Sequence, residues 1–149
     1  METTVVESPE AQSSAAEAWA LLRTLFGQHR RRFLIAASEL ELHPAQAGAL
    51  LHLAAPLPMN ELAARLSCDN SNVTGLIDRL EVRGLVTRQP SSDDRRVKHL
   101  VLTEAGRRVR ERMLARVGQP TRGFLQLSAA EHRQLGDLLR RVLEEEAAP

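Results

Sequence analysis

Two amphipathic stretches joined by three residues and followed at once by two β-type runs constrain this chain more than any other feature. In NELAARLSCDNSNVTGLIDRLEVRGLV, residues 60–86, Asn60 is placed to cap a short helix running through Leu66. Ser67, Cys68 and Asp69 form a tight connection. Asp69 or Asn70 then caps a longer helix that ends near Arg83, where Gly84 supplies the left-handed residue of a C-terminal stop. Two helices with a three-residue turn make a helix-turn-helix. The runs LVTRQ (85–89) and VKHLVL (97–102), separated by the turn-rich PSSDDRR, form a hairpin in the position of a wing.

The second helix of the pair has its faces fixed by spacing. Val73, Leu76, Ile77 and Leu80 recur at i, i+3, i+4 and i+7, so they point inward and leave Asn70, Ser71, Asn72, Thr74, Gly75 and Asp78 outside. Short side chains that both donate and accept hydrogen bonds suit base edges in a major groove. Gly75 costs about 1 kcal/mol in a helix interior relative to alanine, which points to a close backbone approach there. The expected DNA-binding set on this helix is Asn70, Ser71, Asn72, Thr74, Gly75 and Arg79. On the hairpin, Arg95 or Arg96 at the tip is suited to a narrow minor groove, with Asp94 bonding turn amides and orienting Arg96.

The flanks read as helices of a different purpose. Residues 1–13 are polar and aperiodic and are expected to be a loose arm, with order beginning near Ala15. Trp19, Leu22, Phe26, His29, Phe33, Ala36 and Leu40 then alternate steps of three and four, the seam of a long helix that packs along another. Pro44 opens a second helix to about residue 54, which the prolines of APLPM end. Thr103 caps a fifth helix reaching about Gly118, and Ser128 with Glu131 is a capping box opening a last helix with Leu135, Leu138, Leu139, Val142 and Leu143 on one face. The expected organisation is one interleaved, mostly α domain. Residues 14–42 and 103–147 form a helical dimerisation region, and 43–102 form a winged helix-turn-helix with a two-stranded β wing. A two-fold dimer places two reading helices about one DNA turn apart, as a palindromic site requires.

Charge and composition agree with this. The net charge is only +1, yet residues 65–112 hold eleven basic against seven acidic side chains while the first twenty residues hold four glutamates and no base, so a polyanion-binding middle lies between neutral or acidic arms. A single cysteine excludes an intrachain disulfide, and no apolar run approaches the ~20 residues of a membrane span. METTVVESPEAQSS lacks the basic and apolar regions of a signal peptide, so a cytoplasmic location without membrane association is expected. No nucleophile elbow, P-loop or dinucleotide glycine pattern occurs, and the five histidines show no metal-ligand spacing. No enzyme activity, cofactor or metal is expected.

ELAARL, SNVTGLIDRLEVRGLV and above all DDRRVKHLVLTEAG resemble the MarR family of bacterial transcriptional regulators, and the order of elements matches from about Trp19 to Glu146. That resemblance implies a homodimer of winged helix-turn-helix subunits joined by terminal helices, which commonly represses genes and often releases double-stranded DNA on binding a small molecule. It implies that the second helix of the pair enters the major groove and that Arg96 enters the minor groove. Peroxide-sensing members carry a cysteine in the first helix, and this chain has none there. Phenolic or other lipophilic effectors of other members lie in a cleft that Phe26, His29, Arg32, His52 and Met113 would line here. Three functions stay open: an effector-released repressor on a pseudo-palindromic operator, a redox-responsive regulator acting through Cys68 in the turn before the reading helix, and a helical dimer whose winged part binds protein.

Overall fold

The computed structural model of the chain describes residues 8–91 and 97–146. It divides into two compact units, 1–118 and 119–149. The first contains α1 (Pro9–Glu39), α2 (Pro44–His52), β1 (Leu57–Pro58), α3 (Met59–Arg65), α4 (Asn70–Val82), β2 (Val86–Pro90), β3 (Lys98–Leu102) and α5 (Glu104–Val117). The second contains α6 (Arg122–Leu125) and α7 (Ala129–Glu146).

α1 starts earlier than the aperiodic composition suggested, so residues 9–13 are helical and not part of a loose arm. Ser8 accepts the amide of Ala11 as N-cap, and Pro9 occupies the first turn, where a missing N–H costs nothing. α2 opens on Pro44 as expected, with His43 as its cap: Gln46 Oε1 accepts the His43 amide at 2.9 Å. Asn60 does not cap α3. That helix begins one residue before it, from Pro58, with no side-chain cap.

α4 runs as read, and Val73, Leu76, Ile77 and Leu80 are its buried residues. It ends in a Schellman motif: Gly84, at φ 67°, donates to Glu81, and Leu85 donates to Leu80. The same two-bond closure ends α1 through Glu41 (φ 54°) and α3 through Ser67 (φ 50°). The helix-turn-helix connection is therefore built on a serine in the left-handed region.

β2 and β3 form the expected hairpin, antiparallel from Val86 opposite Leu102 to Pro90 opposite Lys98. A third strand joins it. β1, inside the proline-rich APLPM, pairs with β3 through Leu57 opposite Leu100, giving the order β1-β3-β2. The sequence had read this stretch only as a helix stop; two residues flanked by prolines carry no detectable period. The core of the unit joins α2, α3, α4, the sheet and α5 through Leu50, Leu62, Val73, Ile77, Leu80, Leu100 and Met113, all fully buried.

α5 starts as its sequence indicates. Thr103 Oγ1 accepts the Gly106 amide at 3.0 Å and donates to the Gly84 carbonyl at 2.6 Å. In the second unit, the capping box is formed: Ser128 N–H donates to Glu131 Oε2 at 2.7 Å, and Ser128 Oγ accepts from the Glu131 amide at 3.3 Å. The Ser128 hydroxyl and then its amide hold the Glu131 carboxyl below the usual carboxylate range. α6, a single turn capped by Thr121, was not anticipated.

Candidate nucleic-acid interface

With Val73, Leu76, Ile77 and Leu80 turned inward, α4 leaves Asn70, Ser71, Asn72, Thr74, Asp78 and Arg79 exposed and Gly75 half-buried. The helix starts from Asp69 as N-cap, with no hydrogen bond from that side chain to the first-turn amides. Thr74 Oγ1 donates back to the Asn70 carbonyl at 2.8 Å, which leaves its lone pairs outward. Arg79 folds along the helix, its Nε donating to the Gly75 carbonyl at 3.0 Å. A Cβ on Gly75 would lie 3.7 Å from Arg79 Nη2, an ordinary contact, so the guanidinium does not depend on the missing side chain. Six of the residues singled out on this helix thus share one surface. Arg95, Arg96 and Asp94 lie outside the described residues.

Next to this face stands the hairpin, and the junction between them is polar. Arg88 of β2 uses its backbone amide and both terminal nitrogens on α4. Its N–H donates to Glu81 Oε1 at 3.1 Å, Nη1 donates to Glu81 Oε2, and Nη2 donates to Asp78 Oδ1 at 2.7 Å. Sequence reasoning passed over this arginine. The only signal was two carboxylates at i and i+3 on α4 with an arginine seven residues beyond the second. Arg83, at the end of α4, donates from Nη1 to the Glu41 carbonyl at 2.8 Å and so fixes the helix to the α1–α2 turn.

Cys68 is exposed in the turn before α4, its thiol 3.2 Å from the Leu66 carbonyl. It borders a cavity of about 300 Å³ that His43, Gln46, Asn72, Leu76 and Arg79 also line. The residues assigned to an effector cleft are spread over three helices. Phe26 and His29 are exposed on α1, and Arg32 donates from Nη2 to the Arg116 carbonyl at 3.0 Å. His52 closes α2, half-buried. Met113 is completely enclosed in the core, which removes it from any cleft lining: at that point α5 turns its apolar stripe onto α2 and α1. A cavity of about 260 Å³ lies instead among Leu53, Pro56, Val101, Leu102, Arg107 and Arg110, and one of about 210 Å³ lies between α1 and α5 beside Ala36, Leu40, Arg112 and Arg116.

Among the described residues no helix is long and apolar enough to cross a membrane, and no group of three or more His, Cys, Asp or Glu is placed to hold a metal ion.

Comparison with known proteins gives a consistent picture. The profile of the MarR family matches residues 49–98, from α2 into β3. The transcriptional repressor MprA of Escherichia coli K12 is 36% identical over 89 residues, 56% of this chain and 48% of MprA. The chain thus spans about half the length of the curated relatives it matches. Those relatives are named as transcriptional regulators and not as enzymes. A MarR family protein from Bacillus stearothermophilus superimposes with a TM-score of 0.77 at 26% identity, covering 92% of this chain and 98% of that one. CouR from Rhodococcus jostii RHA1, solved with p-coumaroyl-CoA, is 31% identical with a TM-score of 0.64, covering 82% of this chain and 88% of CouR.

Proposed function

The chain belongs to the MarR family, as its 30% identity to MarR of Escherichia coli over 83% of this chain and 95% of that one shows, and from that premise we propose that it is a sequence-specific double-stranded DNA-binding repressor that acts as a homodimer and is released by a small-molecule effector. What carries the DNA reading is the outward face of α4. Asn70, Ser71, Asn72 and Thr74 stand exposed in the first turn and a half of a helix whose opposite side is sealed in the core. Small polar groups held on a rigid helix are what base-edge recognition requires. Arg79 adds charge on the same helix, and Arg95 and Arg96 are assigned to the minor groove from their place in the sequence.

Two further observations support the finer parts of the reading. Apolar side chains stand exposed on α1 (Trp19, Leu25, Phe26) and on α7 (Leu138, Val142, Leu143), which a second copy would cover. CouR, 31% identical, is solved with a CoA thioester of a phenolic acid. The effector proposed here is a phenolic or other lipophilic molecule, with Phe26, His29, Arg32 and His52 assigned as its contacts from their place in the sequence alone.

The experiment is fluorescence anisotropy of the purified protein on DNA from upstream of its own gene and on a scrambled duplex, at about 150 mM salt. Specific recognition gives at least ~10³-fold preference. Equal affinity for the two duplexes, repeated with sequences selected from a random pool, would remove the sequence-specific reading.

A further inference from the structure

Resting on the DNA-binding reading above, we infer that Arg88 is a positioning residue: it fixes the reading helix against the wing and cancels carboxylate charge that would oppose DNA. The described part of α4 carries only three charged side chains, Asp78, Arg79 and Glu81, so by itself the helix has one negative charge in excess. A reading helix of that sign is repelled by the phosphates it must approach, since affinity for duplex DNA comes largely from neutralised phosphates. Arg88 enters from the neighbouring strand and brings the local sum to zero.

The geometry goes beyond charge. β2 is an edge strand, because the sheet order is β1-β3-β2, and an edge strand leaves alternate backbone groups facing outward. At Arg88 the backbone amide is taken by Glu81 Oε1, while Glu81 Oε2 accepts from the guanidinium of the same residue. One carboxylate therefore grips backbone and side chain together. The second arm of the fork holds Asp78 one turn earlier on the helix, at 2.7 Å. Two attachment points a turn apart fix the rotation of α4 about its own axis as well as its distance from the strand. The Arg88 and Glu81 side chains are only 24% and 29% exposed, so this pair is less screened than an ordinary surface ion pair. A planar fork is needed: an ammonium in its place satisfies the charge but not both carboxylates.

Two variants separate the parts of the inference. Binding is measured by anisotropy as a function of salt, on a duplex that the wild-type protein selects from a random pool and on a scrambled control, with thermal melting alongside. Arg88→Lys is expected to melt within a few degrees of wild type and to hold the scrambled duplex as tightly, yet to lose at least tenfold in preference for the selected duplex. Arg88→Gln is expected to lose that preference and also to bind the scrambled duplex more weakly. An Arg88→Lys protein with the wild-type preference would overturn the geometric role, and an Arg88→Gln protein with unchanged affinity for scrambled DNA would overturn the charge role. If wild type prefers no duplex, the DNA reading itself fails and the inference with it, an outcome distinct from either variant's.

Discussion

Gly106 shows how much one missing side chain decides. A Cβ there would sit 1.9 Å from the carbonyl oxygen of Leu85, which itself accepts the Thr103 amide at 3.1 Å. The threonine and glycine of the LTEAG stretch are thus two halves of one joint. Thr103 caps α5 and reaches across to Gly84, while Gly106 lets the first turn of α5 lie against the backbone that leaves α4. Gly106→Ala gains up to about 1 kcal/mol of helix propensity but drives a methyl into backbone that cannot yield. We expect a net loss of about 3 kcal/mol and a melting temperature lower by roughly 10 °C in calorimetry. Gly75 is the opposite case. Its Cβ would make ordinary contact with Arg79, so Gly75→Ala should raise stability by up to about 1 kcal/mol. If the glycine serves a close approach of backbone to DNA, the same variant binds its duplex more weakly. A more stable protein with unchanged affinity would argue against that approach.

At the scale of elements, the helix ends carry the lesson. Three helices close by the same Schellman pattern, yet only α4 uses glycine in the left-handed position; α1 uses Glu41 and α3 uses Ser67. A side chain there costs roughly 1 kcal/mol. Ser67→Gly should therefore stabilise the chain by about 0.5–1 kcal/mol, read as a higher urea midpoint with an unchanged m-value. A lower midpoint would mean that the serine hydroxyl holds the turn in some other way. This pattern also explains what could be read in advance. Gly84 announced the end of α4, and Thr103 and Ser128 announced two helix starts, because those residue types carry their conformation with them. The buried face of α4 followed from spacing alone, since the core demanded four apolar residues on one side. Ser67 and Glu41 gave no such signal, because tertiary packing imposes their backbone. The pairing of β1 with β3 was equally hidden, since Leu57–Pro58 acquires its strand character only from the partner beside it. The start of α1 was hidden for another reason: residues 9–13 show no apolar period, and the helix begins there on its Ser8 cap and Pro9.

For the whole molecule, the open question raised by the surface is what covers its apolar side chains. Trp19 on α1 is 57% exposed and Leu143 on α7 is 67% exposed, values at odds with a monomer that keeps large apolar groups inside. We expect light scattering after gel filtration to give twice the chain mass, and Leu139→Glu combined with Leu143→Glu to shift the species toward the single-chain mass while weakening duplex binding through the loss of the second half-site. A wild-type protein of single-chain mass at micromolar concentration would argue against the dimer. The buried and exposed faces of α4 were legible in the sequence, whereas the arginine fork at Arg88 left only a faint signal there because it joins residues through space. α5 carries a consequence of its own. At its N-terminal end it is fixed to the exit of α4 through Thr103 and Gly106, and toward its other end the Arg116 carbonyl and guanidinium hold it to Arg32 and Glu39 of α1. It is a strut about 20 Å long, tied at both ends. One helix thus sets the spacing between the C-terminal end of α1 and the exit of α4.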